Sequence, residues 1–135
     1  MSLAVDTGAR FRAAVERQDI AAVTALLAPD VVFHSPVTFY PFVGREDVTR
    51  LLEIVAATFN DFRYTDELRM DGGEALVFRA TVEGRELEGI DLLRYDADGL
   101  IADFTVLVRP LSGLIPFAQV MGEKAQLAGL ETVRA

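Results

Sequence analysis

The hydrophobic pattern of this chain changes period near residue 60, and that change restricts the fold more than any other feature of the sequence. Before it, apolar side chains recur at helical spacing. Leu3, Val5, Phe11, Ala14 and Val15 form a loose stripe over residues 1–18, and Val48, Leu51, Leu52, Val55 and Phe59 share one face of residues 46–59. After it, strand-like segments at about 62–70, 74–83, 85–95 and 100–109 are separated by Asp71-Gly72-Gly73, Gly84 and Asp96-Ala97-Asp98-Gly99. Those separators are turn chemistry, and consecutive short turns imply antiparallel hairpins. Between the two helical stripes, Asp19 reads as the N-cap of a short helix, IAAVTALLA, that ends at Pro29. The strand VVFHS follows, Pro36 stops it, and a loop runs to Gly44. Pro110 ends the last strand. Residues 113–128 read as a C-terminal helix or an irregular apolar tail, broken near Pro116 and Gly122.

Helices followed by a run of strands indicate an α+β fold. A strongly bent antiparallel sheet wrapped around the three helices of the N-terminal half would bury their apolar faces. It would also leave a cone-shaped hollow suited to a small molecule. The 135 residues contain no repeat, linker or low-complexity tract and suit a single domain, 1–135. Apolar residues make up 51% of the chain, ample for one core.

Several function classes fall away on composition. There are no cysteines, so disulfides, thiolate catalysis and cysteine–zinc sites are excluded. A single histidine, His34, without a nearby carboxylate pair is not a metal site. Net charge is −8, with no basic stripe, which argues against nucleic-acid binding and against attachment to an anionic membrane surface. No run of about 18 apolar residues is present, and MSLAVDTGARF lacks the basic and apolar regions of a secretory signal. A cytoplasmic location is the expectation.

Three stretches, in this order, carry a family resemblance: RQDIAAVTALLAPDVVFHSP, FVGREDV and EGIDLLRYDADGLIADFTVLVRP. Together they resemble the nuclear transport factor 2-like superfamily over roughly residues 7–120. Its branches include ketosteroid isomerases, SnoaL-like polyketide cyclases, scytalone dehydratase and limonene-epoxide hydrolase. The resemblance implies the cystatin-like, cone-shaped α+β barrel. It does not single out one activity, because this fold hosts many.

Carried over residue by residue, the resemblance is selective. Where ketosteroid isomerases hold a carboxylate base, this chain has Ser35; where they hold a phenolic donor on the first helix, it has Phe11. Their second donor, a protonated aspartic acid, corresponds to Asp91. The Asp-Arg-Asp set of limonene-epoxide hydrolase is not supported either: its last-strand position aligns with Val106, and the others fall among Val77, Phe78, Arg79 and Ala80, with no carboxylate. SnoaL-like cyclases need little more than one acid/base group in an apolar cavity.

The candidate catalytic residues are therefore Asp91 and His34. Facing inward with Gly89 and Leu93, Asp91 would have a raised pKa through desolvation and act as general acid or neutral donor. His34 is the side chain whose unperturbed pKa lies nearest neutrality, and it would act as base or orienting group. Simple alternation instead turns Ser35 toward the pocket and His34 away. Tyr40 and Tyr64 are expected to shape the cavity or place a hydroxyl in it. Phe11, Phe33, Ser35, Phe78, Phe104 and Val106 complete the expected ligand-binding wall. Asp103 is expected to face outward, and Asp96 and Asp98 to serve the hairpin turn and not a calcium site.

The functional expectation is a cofactor-independent, metal-free acid/base enzyme, an isomerase, cyclase or dehydratase, acting on a small apolar carbonyl- or ring-bearing molecule. The alternative is a non-catalytic small-molecule-binding or dimeric scaffold protein of the same fold. With Asp91 inward, Ile90, Leu92 and Leu107 face out, and the outer sheet face is expected to form a two-fold homodimer.

Overall fold

The computed structural model describes residues 3–133, with side chains from residue 6 onward, so residues 1–2 and the stripe positions Leu3 and Val5 lie outside the described side chains. The elements are α1 (Leu3–Glu16), α2 (Ile20–Thr24), β1 (Leu27–His34), β2 (Phe42–Val43), α3 (Arg45–Thr58), β3 (Asn60–Met70), β4 (Gly73–Val82), β5 (Arg85–Tyr95), β6 (Ile101–Arg109) and α4 (Leu111–Leu127). One open sheet runs in the order β2-β1-β6-β5-β4-β3.

The last four strands form the antiparallel meander that the turn residues predict. Val82 pairs with Arg85, and the intervening Glu83 and Gly84 both have positive φ, +50° and +75°. Two central residues of that kind make the hairpin turn whose twist matches the flanking strands. Asp96 accepts hydrogen bonds at Oδ1 from the amides of Asp98 (2.9 Å) and Leu100 (3.0 Å), so it organises the β5–β6 turn. Asp19 caps α2 through the Ala22 amide at 3.0 Å.

Three features differ from the expectation. The sheet is mixed and not purely antiparallel, because β1 pairs in parallel with β6, Phe33 opposite Phe104 and His34 opposite Thr105. Only the meander is joined by short turns; β1 and β6 are linked through α3 and four strands, a connection long enough for parallel pairing. Strand β1 also starts at Leu27, not at Val31, and Pro29 lies inside it where the register with β6 is irregular. A proline is tolerated in a strand at such an irregularity. Finally, α4 is a fourth helix, continuous through Pro116 and Gly122. Gly113, Phe117 and Met121 recur at four-residue spacing and bury one face of it, which holds the helix together across its breakers. The approach at Gly113 is close: a Cβ there would stand 2.8 Å from the Glu86 carbonyl oxygen of β5.

Candidate functional site

The helices and the inner face of the sheet enclose a cavity of about 360 Å³. Aromatic rings make much of its wall. Phe11 of α1 and Phe33 of β1 each meet Phe104 of β6 edge to face, with ring centroids 5.5 and 5.2 Å apart. Helix α3 adds Leu51, Leu52 and Val55, and α4 adds Phe117 and Met121.

Two polar residues on this wall are deeply buried. Tyr64 of β3 is 8% exposed and Asp91 of β5 is 7% exposed. The Tyr64 hydroxyl donates to Asp91 Oδ2 at 2.7 Å. The register places Asp91 between Leu76 of β4 and Val106 of β6, with no cationic side chain beside it in the row. Burial therefore raises its carboxyl to about 7, against the opposing pull of the hydrogen bond from Tyr64. Burial, and then the Asp91 carboxyl itself, hold the Tyr64 phenol well above its ordinary value, so this hydroxyl stays a donor throughout the neutral range.

Irregularities in β3 aim these groups. Against β4, β3 carries one extra residue between Asn60 and Arg63 and a second between Tyr64 and Asp66. Tyr64 thus sits between two bulges, the usual device for re-aiming a strand side chain. The first bulge breaks the alternation of the strand. Asp61 and Phe62, adjacent in sequence, both line the cavity, and Asp61 takes a left-handed φ of +52°.

Several candidate residues reach the cavity and others do not. Phe11, Phe33, Ser35, Tyr64, Asp91, Phe104 and Val106 line it. Ser35 is committed elsewhere, however: its Oγ accepts the amides of Val37 (3.1 Å) and Thr38 (3.2 Å) and shapes the loop after β1. His34 is on the opposite side of β1, as alternation requires, and its Nε2 lies 3.0 Å from Asp103 Oδ2 on β6. The role of His34 as catalytic base at the cavity is thus corrected. Tyr40 is likewise not on the wall; it lies in the exposed loop, its ring edge-on to Phe39 at 5.7 Å. Phe78 is buried behind the wall and does not line it. Its ring fills the space over Gly89, where a Cβ would come within 2.3 Å of its Cζ, and stacks on Phe62 at 4.9 Å.

Some lining residues escaped the sequence reading as site residues. Leu51, Leu52, Val55 and Phe59 stood on the stripe of the third helix and were legible there as core. Asp61 and Phe62 carried no signal, because nothing in NDFRY announces a bulge. Among the described residues, no group of three or more His, Asp or Glu side chains is placed to hold a metal ion. No described helix is long and apolar enough to cross a membrane.

The sheet, closed by helices over an apolar cavity with a buried carboxyl on its wall, agrees with what the comparisons with known proteins show. The chain belongs to the SnoaL-like domain family, whose sequence profile matches residues 9–104. Among solved structures it is similar to a steroid delta-isomerase from Pseudomonas aeruginosa, at 38% identity and a TM-score of 0.88, over 95% of each chain. It is also similar to an uncharacterised bacterial protein of cystatin-like fold from Silicibacter pomeroyi DSS-3, at 31% identity and a TM-score of 0.86, over 91% of this chain and 87% of that one. A likeness in fold alone extends to an NTF2-like protein of unknown function from Mesorhizobium loti, at 20% identity and a TM-score of 0.71, over 80% of this chain and 92% of that one. No curated protein sequence matches the chain.

Proposed function

We propose that this chain is a cofactor-independent acid/base enzyme of the isomerase or cyclase kind, acting on a small apolar molecule that carries a carbonyl group. The observation that carries this reading is the 2.7 Å hydrogen bond between Tyr64 and Asp91 on the wall of an apolar cavity. With Oδ2 engaged by Tyr64, Oδ1 is left to hold the exchangeable proton. A carboxyl that titrates at about 7 is present in both forms at neutral pH. As carboxylate it takes a proton from the carbon next to the substrate carbonyl; as acid it returns that proton to another carbon of the enolate. Tyr64 limits how far burial suppresses the charged form. The likeness to the Pseudomonas aeruginosa steroid delta-isomerase supports the reaction class.

The test is double-bond migration in a β,γ-unsaturated ring ketone, followed by absorbance of the conjugated product. Asp91→Asn should reduce kcat by about 100-fold or more, the scale of a lost general acid/base. Full activity in that variant sinks the proposal for Asp91. One observation favours a second reading, a non-catalytic binding protein: the Ser35 hydroxyl is taken up by two loop amides, so no base stands there. Saturable ketone binding without any proton exchange in the wild-type protein would establish that reading instead.

The outer sheet face, where Leu107 is 52% exposed, is the surface we assign to a two-fold homodimer. Sedimentation of the wild type and of Leu107→Lys tests it, with a dimer in the first and a monomer in the second.

A further inference from the structure

The polar lining of the cavity is one-sided. Among the described residues, Glu16, Asp19, Asp61 and Asp91 line it, and no lysine or arginine does. Two of these carboxylates are already answered. Glu16 pairs with Arg12 at 3.4 Å, and Asp19 pairs with Arg17 at 3.7 Å and caps α2. Asp91 is occupied by Tyr64. Asp61 differs from all three: among the described residues its carboxylate has neither an ion pair nor a side-chain hydrogen bond, and the nearby Arg63 donates instead to the Asp61 backbone carbonyl at 3.1 Å.

The placement of Asp61 is specific. A regular strand would send Asp61 and Phe62 to opposite faces. The bulge between Asn60 and Arg63 puts both on the cavity, at the cost of a left-handed backbone at a non-glycine residue. Asp61 is also exposed, while Asp91 is buried, so the two carboxyls mark an outer and an inner part of the same cavity.

We propose that Asp61 is a specificity-determining residue: it receives a hydrogen-bond donor, a hydroxyl or an ammonium, on the end of the ligand opposite the carbonyl that meets Asp91. Resting on the function proposed above, this narrows the substrate to a two-ended molecule, apolar in its body, with an acceptor at its inner end and a donor at its outer end. It also makes the site hostile to carboxylates and phosphates. An anion placed there would meet Asp61 with no cation on the wall to offset it, and such built-in repulsion discriminates as effectively as an added contact.

The experiment measures binding of fused-ring aryl ketones that differ only at the end away from the carbonyl, bearing methyl, hydroxyl, aminomethyl or carboxylate. Wild-type protein should bind the hydroxyl and aminomethyl ketones about tenfold more tightly than the methyl ketone, the worth of one hydrogen bond to a charged acceptor, and the carboxylate ketone most weakly. Asp61→Asn keeps a residue that adopts left-handed backbone readily, and it should bring the aminomethyl-to-methyl ratio close to one. An unchanged thermal midpoint in Asp61→Asn keeps the comparison free of a folding defect. If the methyl ketone binds but the donor groups add nothing, or if Asp61→Asn preserves the preference, the role of Asp61 is overturned while the function proposed above stands. If wild-type protein binds none of the ketones, both fall together.

Discussion

The Tyr64 hydroxyl reaches past β4 to Asp91, tying β3 to β5, two strands that share no backbone hydrogen bonds. The bond joins the two most buried polar groups of the cavity wall, so it couples the chemistry of the site to the geometry of the sheet. Removing it tests both. Tyr64→Phe leaves Asp91 with the burial but without its donor, and the hydrogen bond is the cause that lowers its pKa. The Asp91 carboxyl should then titrate higher than about 7, as followed by carboxyl-carbon NMR. The stability cost should be about 1–3 kcal/mol, as for a buried hydrogen bond to a carboxyl. A midpoint that falls or stays would show that Tyr64 does not control Asp91.

Asp91 should also shape stability against pH. Its folded value of about 7 lies above the unfolded value of about 3.9. Between those values the folded state binds more protons than the unfolded state, so this group contributes most below the lower value. Its contribution is lost as pH rises through the higher one. Asp91→Asn has no charge to bury. Its stability relative to wild type should therefore rise between pH 4 and 8, by on the order of a few kcal/mol, in urea titrations at the two ends. A difference that does not vary with pH would mean Asp91 is not desolvated as described.

Gly89 faces Phe78 across β4 and β5. A Cβ there would stand 2.3 Å from Phe78 Cζ and 2.6 Å from the Leu107 carbonyl oxygen. Gly89→Ala should destabilise the fold by about 1–3 kcal/mol through overpacking. It should also weaken ligand binding, because Phe78 stacks on Phe62, which lines the cavity. Calorimetric melting with and without a bound ketone checks both effects.

His34 gives the opposite expectation. Its partner is Asp103, and both side chains are more than a third exposed. His34→Ala should change stability by no more than about 1 kcal/mol and leave ketone affinity unaltered. Isothermal titration of the variant decides the point, and a tenfold loss of affinity would return His34 to the site.

These contrasts show what was legible in the sequence. The four strands of the meander could be read because each is bounded by turn residues with a stereochemical reason to be there, such as Gly84 at φ +75°. The inward face of Asp91 followed from alternation along β5. The same rule turned Ser35 inward and His34 outward, and the structure places them so. The rest depended on irregularity. Bulges on either side of Tyr64, the parallel seat of β1 on β6 and the run of α4 through Pro116 arise from packing between distant segments. Asp61 was invisible for that reason: its side chain is redirected by one extra residue in β3, and only the partner strand reveals the extra residue. Phe78 was misplaced for a related one, since Gly89 opens a space opposite it that no local pattern in β4 records.

The cavity takes Phe11 from the first helix and Phe117 and Met121 from the last. A chain made from its N-terminus forward therefore has no complete cavity until α4 has been added and has docked on the sheet. A molecule that binds in this cavity would draw the folded population upward by mass action most strongly where the last helix is in place.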